Sequence, residues 1–585
     1  MIVHIPRMEQ DPMMMARYKG VKTVRVTINE EFFLDGPVTK RIAVLDFDAD
    51  TGELKPGAKF RPPKPGRKIG TYAIEDETNV HARDFRQVNA FAIVYGTLNM
   101  LAKPHTLGRQ LTWAFDGPQL LVVPNAGEWE NAYYERDSHS LQLFYFRDPR
   151  YPDEPDKTIY TCLSTDIIAH ETGHAILDGI APDLNDAITP QSLALHEAFA
   201  DLTALWMAFE HRQLRKAVLD RTDGSIEDSS EFTAIAEEFG TVLKKMYDPG
   251  EEIGALRDIN NKKNLIPGAD DYVADIEPHA LSQVLSGALY AVMVKIHNGL
   301  VDEYSGGDPN KRKSVSGKAL AVGAARFKRM LFRALDYLPP GEISFADYGR
   351  AIIAHDQAHY PDDGQVREWI KDEFVKRGIV RNRDALEVKT NFEEPALENV
   401  NVEMLINSDW AAYQFANENR KLLHIPSRPR RIPFEVRPRH DVLKLYYYGP
   451  KEFEKRRECI LKVSWDEIEP NRLGPRYPDR RRITVGTTLV IKMKKNEYTD
   501  EENTNTVRAL LTSYHKKLRP EELKEQRAAR DEMLQRLVDM GLLYPEKHVT
   551  GPDGKPLRSV VHAECARGPM HVRGTARTIH IAKEL

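Results

Sequence analysis

Cysteine is scarce in this sequence, which contains three cysteines, Cys162, Cys459 and Cys565, in 585 residues. The three are far apart in the chain and form no CxxC pair, so the sequence argues against a disulfide framework. Their number and spacing fit a protein of a reducing compartment. None of them stands in a context that indicates a catalytic nucleophile.

Long apolar runs are absent as well. The sequence has no stretch of 18 apolar residues, and a chain without one is predicted to have no membrane span. The first residues, MIVHIPRM, do not form a basic and then apolar leader with a small-residue cleavage site. We therefore expect a cytoplasmic protein, and the alternative is export by a route that needs no cleavable leader.

The composition is that of a globular chain, with 41% hydrophobic and 29% charged residues. A chain of 585 residues is long enough for two to four domains, each with its own core. The charge is unevenly distributed. Residues 381–585 contain 39 Lys and Arg and 31 Asp and Glu, a net charge of +8, whereas the whole chain has −5. The first 380 residues are therefore acidic and the tail is basic.

Nucleic acid is a conceivable partner for such a tail. Its arginines cluster in the segment SRPRRIPFEVRPRHD (427–441) and at 480–482, with tyrosines at 446–448 nearby. The clustered arginines are Arg428, Arg430, Arg431, Arg437, Arg439, Arg480, Arg481 and Arg482. However, acidic residues are interleaved with them, and no RRM, KH or zinc-finger signature is present. We favour a solvated face or an interdomain contact over a nucleic-acid site.

One short motif dominates the sequence, DIIAHETGH at 166–174. Residues four apart share a face of an α-helix, so His170 and His174 can present two imidazoles to one metal ion. Glu171 lies roughly 100° around the helix from His170, beside the metal. At that place it can take a proton from an activated water and return it to a leaving amine. The pattern predicts a zinc hydrolase site.

A catalytic zinc needs a third protein ligand, and the segment HEAFAD (196–201) offers one. Glu197 lies 23 residues after His174, which is far enough for the chain to return as a second helix. Asp201 is one turn further along the same face, where it can accept the remaining N–H of a ligating histidine. The alternative is a buried amphipathic helix whose histidines only satisfy hydrogen bonds in the core.

The motif helix is well specified locally. Ser164 or Thr165 can serve as its N-cap, and Asp166 lies in the positively polarised first turn. Gly173 lowers helix propensity, which predicts a closely packed neighbour at that position.

The pattern HExxH followed by ExxxD resembles the thermolysin-like, or gluzincin, family of zinc metallopeptidases. Upstream, Asn131-Ala132-Tyr133-Tyr134 and the alternating run 140–146 resemble the edge strand of that family. The resemblance implies that the Asn131 side chain and the Ala132 carbonyl hold the substrate backbone, as an edge strand can. The alternative is an ordinary hairpin strand.

The resemblance continues downstream of the motif. Arg257, in the segment ALRD, resembles an arginine that binds a substrate carbonyl, and His279, after Pro278, resembles a second catalytic histidine that stabilises the oxyanion. Asp275 and Glu277 are candidates to orient His279, but neither has the expected spacing. The similarity covers roughly residues 82–380, and the C-terminal region resembles no family.

An α+β fold follows from the resemblance, with the two lobes of a thermolysin-like zincin. We expect a β-rich N-terminal region (1–75), a mixed α/β peptidase lobe with the zinc helix and Glu197 (76–205), and a mainly helical lobe (206–380). A basic α+β region of unknown role (381–585) would follow. Periodicity predicts strands at 23–28, 42–47 and 483–493, and helices that include 84–101, 327–335, 345–352, 369–375 and 521–543.

Three departures from the family stand out. The family has a tyrosine between the second histidine and the glutamate ligand, and residues 175–196 contain none. Asp166 resembles a calcium ligand, but the rest of the acidic set is missing, so we favour one catalytic zinc ion without bound calcium. The third departure is the missing leader and propeptide.

The sequence therefore predicts an endopeptidase that hydrolyses internal bonds of peptide or protein substrates. Ile167 and Leu256 are candidates for an apolar substrate pocket. Two alternatives stay open: a weakly active zinc-binding scaffold, and a zinc exopeptidase that recognises a free N-terminus.

Overall fold

The computed structural model of the protein describes most of the chain. The described residues are 1–12, 23–148, 158–187, 189–228, 232–236, 240, 257–398, 400–427, 431–447, 453–493, 505–544, 549–550, 556–557, 561–564 and 569–574. Helices and strands are both abundant there, and they are mixed along the chain. This confirms the predicted α+β class.

Twelve α-helices lie within the described ranges. They are α1 (Arg83–Ala102), α2 (Thr165–Ile180), α3 (Asp183–Ala187), α4 (Pro190–Glu210), α5 (Arg212–Arg221), α6 (Pro278–Ser305), α7 (Arg312–Ala334), α8 (Phe345–His359), α9 (Gln365–Lys376), α10 (Val402–Asn407), α11 (Asp409–Glu418) and α12 (Pro520–Asp539). All five predicted helical stretches fall on α1, α7, α8, α9 and α12, and the HExxH motif lies on α2.

The strands of the first 260 residues are short. They are β1 (Ile2–Met8), β2 (Thr23–Asn29), β3 (Ile42–Val44), β4 (Phe60–Arg61), β5 (Ile69–Tyr72), β6 (Leu120–Val123), β7 (Ala132–Glu135), β8 (Ser140–Leu143), β9 (Tyr145–Arg147), β10 (Thr158–Tyr160), β11 (Ala234–Ile235) and β12 (Arg257–Asp258).

The C-terminal region contains the longest strands. They are β13 (Thr390–Glu393), β14 (Glu435–Val436), β15 (His440–Tyr447), β16 (Phe453–Pro470), β17 (Arg480–Lys492), β18 (Thr506–Thr512), β19 (Leu543–Tyr544), β20 (Val549–Thr550), β21 (Pro556–Leu557), β22 (Val561–Glu564) and β23 (His571–Gly574).

Two four-stranded sheets form the N-terminal part. One has the order β2-β1-β5-β4, and the other has the order β3-β6-β8-β7. In the second sheet β3, β6 and β8 are parallel, and β7 pairs antiparallel with β8 and forms the edge. Helix α2 packs against β7, and α1 packs between α2 and the first sheet. The HExxH helix therefore lies under the edge strand.

Helices make up the layer behind α2. Helix α4 packs on both α2 and α6, and α6 packs in turn on α7 and α9. Helix α6 is, among the described helices, the one that is long and apolar enough to cross a membrane, with a mean hydropathy of 1.4 over 18 residues. Because 67% of that window is buried inside the protein, its apolar character is that of a central core helix.

A six-stranded sheet dominates the C-terminal region, with the order β13-β18-β17-β16-β14 and with β15 also paired to β16. One face of this sheet packs on α10 and α11, and the other face packs on the helical layer. Gly341 marks the junction, because its φ is +93° and an added Cβ would lie 2.2 Å from the Thr484 carbonyl oxygen. Only glycine fits such an approach.

A single hydrophobic core joins the N-terminal sheets to the helical layer. It contains Val3 of β1, Ile168 of α2, Leu289 of α6 and Leu511 of β18. The described part of residues 1–75 therefore shares the core of the part of the protein that holds the HExxH helix.

Candidate metal centre

The motif helix α2 begins as its sequence predicts. Ser164 is the N-cap, and its side chain accepts a hydrogen bond from the Ile167 amide. Asp166 lies in the first turn and accepts a hydrogen bond of 2.7 Å from the Gln10 side chain. The N-terminal segment of the chain therefore contacts the start of this helix, an interaction that local sequence patterns do not reveal.

Three buried side chains converge beside α2. The Nε2 atoms of His170 and His174 are 3.1 Å apart, and the Glu197 carboxylate on α4 lies 3.5 Å and 3.4 Å from them. The three side chains are each at most 5% exposed. This triangle is formed where α2 and α4 cross.

The dimensions of the triangle fit a zinc ion. Ligand atoms about 2.0–2.1 Å from a tetrahedral zinc are roughly 3.3 Å apart, which is close to the three separations found. Both carboxylate oxygens of Glu197 are buried and face these imidazole nitrogens. A buried carboxylate that faces two imidazole nitrogens is a suitable cation ligand. His170, His174 and Glu197 can hold one metal ion.

Asp201 and Arg257 lie behind His170. The Asp201 Oδ1 atom is 2.9 Å from His170 Nδ1, so Asp201 can keep the proton on that nitrogen and leave Nε2 for a metal. Arg257 binds the same carboxylate through Nη2 at 2.8 Å and Nε at 3.0 Å. Its guanidinium therefore pairs with Asp201 here, and its binding to a substrate carbonyl stays a prediction.

His196 performs a similar task for the second histidine. The Nδ1 atoms of His174 and His196 are 3.1 Å apart. One of these nitrogens must donate and the other must accept, because two lone pairs would repel each other. The sequence motif predicts no role for His196, although the position of His196 directly before Glu197 is a signal that could have indicated one.

Glu171 lies beside the triangle and next to the edge strand β7. Its Oε1 atom is 4.0 Å from His170 Nε2, and its Oε2 atom accepts a 3.0 Å hydrogen bond from the Tyr134 amide. The side chains of His170, Glu171 and His174 form a compact buried group that could also hold an ion. The amide of Tyr134 orients the carboxylate, and this contact could not be foreseen from the motif.

The hydrogen bonds of the β7–β8 ladder show which backbone groups of the edge strand point outward. The Phe144 amide donates to the Asn131 carbonyl, so Asn131 lies at a hydrogen-bonded position of the β7–β8 ladder. In an antiparallel ladder the next residue, Ala132, then directs its amide and carbonyl away from β8. The Ala132 amide already donates to the Asn131 side chain at 2.8 Å. The Ala132 carbonyl faces away from the sheet.

His279 faces the ligand triangle from the start of α6. Its Nε2 atom lies 3.2 Å from Glu197 Oε1, and its Nδ1 atom lies 2.5 Å from Glu277 Oε1. Glu277 is also the N-cap of α6, since its other oxygen accepts from the Ala280 amide at 2.7 Å. Between the two candidates, the structure places Glu277 on His279, whereas Asp275 binds Arg536.

The electrostatics of the site raise the pKa of His279 and lower the pKa values of Glu197 and Asp201. Burial lowers the pKa of His279, but Glu197 and Glu277 outweigh burial and raise it above the ordinary value. Burial raises the pKa of Glu197, but His279 and the two ligand histidines hold it well below its usual range. Burial likewise raises the pKa of Asp201, which Arg257 and His170 keep low. The carboxylates of Glu197 and Asp201 are therefore ionised.

Other predicted features lie nearby or outside the described residues. Ile167 is buried on α2, whereas Leu256, Arg428, Arg430 and Cys565 lie outside the described residues.

Burial raises the pKa of both the Cys162 and Cys459 thiols to about 12, so neither is a thiolate at neutral pH. Asp166 and the buried Asp178 bind Gln10 and Arg136, respectively. The described residues offer no further cluster of ligands for calcium.

Several of the clustered arginines of the tail bind acidic groups. Arg437 pairs with Asp183 at 3.0 Å, Arg439 with Asp409 at 2.6 Å, and Arg481 with Glu469 at 2.7 Å. Because these guanidinium groups are already paired with carboxylates, they attract phosphate groups less strongly.

The fold and the site thus define a buried His-His-Glu centre on two crossing helices, with a carboxylate and an imidazole beside it. No model of a known protein family matches the chain, and no curated protein matches it.

Proposed function

We propose that the protein is a zinc-dependent metalloendopeptidase of thermolysin-like, two-lobe architecture. The observation that carries this proposal is the convergence of His170, His174 and Glu197, with Glu171 beside them and His279 opposite. A site that only stored zinc would need neither of the last two residues. The pairing of a mixed sheet with a helical layer on either side of α2 supports the architecture.

A zinc ion held by His170, His174 and Glu197 would polarise the scissile carbonyl and lower the pKa of a bound water. Glu171, oriented by the Tyr134 amide, acts as the general base toward the attacking water and later protonates the leaving amine. His279 donates a hydrogen bond to the oxyanion and is itself held by Glu277.

The edge strand β7 supplies the binding surface for the peptide. An extended substrate adds to an exposed strand edge through main-chain hydrogen bonds, and Ala132 is the residue whose carbonyl is turned outward. Asn131 and Arg257 are the side chains that we expect to hold the peptide on either side of the scissile bond. Arg257 would then share its guanidinium between Asp201 and the substrate.

Residues 175–196 contain no tyrosine, so the oxyanion has one donor fewer than in the family that the sequence resembles. Loss of one such donor typically lowers the rate by about 10²–10³. We therefore expect slow turnover and propose to use long incubations with a fully denatured protein substrate.

Substitution Glu171→Gln tests the proposal. It removes the base and leaves the zinc ligands intact, so internal cleavage should fall by about 10²–10⁴-fold while the zinc content stays at one ion per chain. The measurement is mass-spectrometric mapping of the peptides from the denatured substrate, together with elemental analysis of each variant.

The matched control is Glu303→Gln, which makes the same change at an exposed position on α6. It should cut like the wild type. Equal cleavage by wild type and Glu171→Gln would contradict the proposal. Zinc binding without cleavage by any variant would favour a zinc-binding scaffold, and removal of terminal residues alone would favour an exopeptidase.

A further inference from the structure

The position of His279 depends on the few residues that precede α6. Glu277 holds the imidazole, and the Glu277 amide in turn donates to Asp275 Oδ1 at 3.1 Å. The His279 imidazole is thus linked, through the carboxylates of Glu277 and Asp275, to the chain that leads into α6. We name residues 273–277 the entry segment.

The C-terminal helix α12 contacts this entry segment by two kinds of interaction. Arg536 Nη1 lies 2.8 Å from Asp275 Oδ1, so one carboxylate oxygen receives both Arg536 and the Glu277 amide. Ile276 packs against the apolar cluster that contains Met533, Leu534 and Leu537 of α12. The ion pair and the apolar contact hold adjacent residues of the entry segment.

The same apolar cluster also contains Leu193, which is 1% exposed and lies one turn before Glu197 on α4. Helix α12 therefore contacts both the helix of the third ligand and the segment that leads to His279. Glu197 and His279 contact each other, and α12 thus touches the element that precedes each of them.

The contacts with the entry segment described so far lie in the C-terminal half of α12. A cavity of about 400 Å³ is lined by Asp275 and Ile276 on one side and by Glu522, Gln526 and Ala529 of α12 on the other. The N-terminal half of the helix and the entry segment therefore both border this cavity. Arg536 and the packing of Ile276 are the contacts of α12 with the entry segment, and the packing around Leu193 is its contact with α4.

We propose that Arg536 is a positioning residue for His279, and that the C-terminal region thereby sets the geometry of the oxyanion site. This inference rests on the proposed function. It assigns to residues 520–544 a role in the reaction although none of them reaches the zinc ligands. The connection runs from Arg536 to Asp275, then to Glu277, and then to the imidazole.

Substitution Arg536→Gln tests the inference, with Arg527→Gln as the matched control. Both arginines are on α12 and are similarly exposed, at 43% and 44%, but Arg527 binds Glu469 within the C-terminal region. We expect Arg536→Gln to lower kcat by about 2- to 5-fold at unchanged KM and zinc content, because a displaced oxyanion donor is weakened only in the transition state. Arg527→Gln should leave kcat unchanged.

Two further variants separate positioning from general loosening of the fold. Arg536→Lys keeps a cation near Asp275 and should retain most of kcat. The charge exchange of Asp275→Arg with Arg536→Asp should restore part of what each single change loses, since only a direct pair gives such coupling. A fall in zinc content or in the melting temperature would show a merely structural effect and would overturn the inference.

Hydrogen exchange measured by mass spectrometry gives a readout that does not need activity. Arg536→Gln should speed amide exchange in the peptide that covers residues 273–281, whereas Arg527→Gln should not. Equal exchange in the two variants would overturn the inference even if the wild type is an active peptidase. Failure of the proposed function is seen separately, as equal cleavage by wild type and Glu171→Gln.

Discussion

At the scale of single residues, the hydrogen bond between His174 and His196 determines which nitrogen can bind metal. If His174 binds through Nε2, its Nδ1 carries the proton and donates to His196 Nδ1 across 3.1 Å. His196 is then the neutral tautomer with its proton on Nε2. Both rings are buried, so water cannot replace this partner at low cost.

Substitution His196→Leu should therefore weaken zinc binding by about 10–100-fold, as loss of a partner of a metal-bound histidine typically does. The measurement is competition for zinc against a chromophoric chelator. His196→Asn is the matched control, because an asparagine oxygen can accept near the position of Nδ1, and it should stay within a few-fold of wild type. Equal zinc affinity of the leucine variant and the wild type would contradict this role.

The spacing of residues in the sequence predicts one part of the candidate metal centre, and the other part depends on tertiary packing. The four-residue interval of His170 and His174 follows from helix geometry, and Glu197 and Asp201 follow from the same interval on a second helix. The sequence offers both Asp275 and Glu277 as partners of His279, and only the packing selects Glu277. The Tyr134 amide does not follow from spacing, because it comes from another part of the chain and meets Glu171 only through tertiary packing. The pairing of Arg257 with Asp201 belongs to this second group.

At the scale of elements, the crossing of α2 and α4 sets the distance between ligands. A Cβ added at Gly173 would lie 3.1 Å from the Ala200 Cα and 3.2 Å from Thr203 Oγ1. The close neighbour predicted for this glycine is therefore confirmed. Because His170 and Glu197 lie on either side of this crossing, the small residue permits the short separation of their ligand atoms.

Substitution Gly173→Ala should push the two helices apart, because neither a backbone Cα nor a β-branched side chain can rotate away. We expect the free energy of unfolding to fall by about 1–3 kcal/mol and zinc affinity to fall by at least about tenfold. Urea unfolding and the chelator competition measure the two effects.

Gly96→Ala on α1 is the control, since its added Cβ would meet only the terminal methyl of Met207 at an ordinary 3.5 Å. It should stabilise the protein by up to about 1 kcal/mol through helix propensity. A Gly173→Ala protein as stable as the Gly96→Ala protein, and with normal zinc affinity, would mean that the crossing tolerates the methyl group.

Strand β16 shows where a pattern in the sequence is insufficient. Its residues alternate, with Cys459, Leu461, Val463 and Trp465 on the apolar face that packs on α10 and α11. The polar face in between would be expected to be in solvent. The structure instead buries that face against the helical layer, including Glu458, Lys462 and Ser464. Burial of a polar strand face depends on its partner, which periodicity cannot show.

At the scale of the whole molecule, this polar face forms a buried seam between the C-terminal sheet and the helical layer. His359 of α8 binds Glu458 at 2.6 Å, and Asp336 binds both Lys444 at 2.6 Å and Arg109 at 2.8 Å. Buried pairs of this kind are costly to break, because the remaining charge has no water. The two parts of the chain are therefore held in one relative position.

Lys462 is a buried cation of this seam, and no acid of the described structure lies within ion-pair distance of its amine. Burial lowers its pKa to about 8, although Asp336 opposes the shift. Between pH 8 and the ordinary value of 10.5 the unfolded chain binds more protons than the folded protein, so stability rises with pH in that range. Below pH 8 Lys462 is charged in the folded protein as well, so burial of this charge lowers the free energy of unfolding by its full amount.

Substitution Lys462→Met removes that cost. We expect it to raise the free energy of unfolding at pH 7 by about 1–4 kcal/mol, and the gain should shrink as the pH rises from 8 to 10. Urea unfolding of wild type and variant at pH 7 and pH 10 measures both values.

Lys444→Met is the matched control, because it makes the same change on the neighbouring strand β15 at a lysine that is paired. Its removal leaves Asp336 with Arg109 as the remaining partner, so it should cost about 1.5–3 kcal/mol, the typical value of a hydrogen bond to a charged group. The two variants must therefore move stability in opposite directions at pH 7. If Lys462→Met destabilised the protein as Lys444→Met does, the amine of Lys462 would have to be a stabilising contact of the seam, and the pH dependence derived from its burial would be wrong.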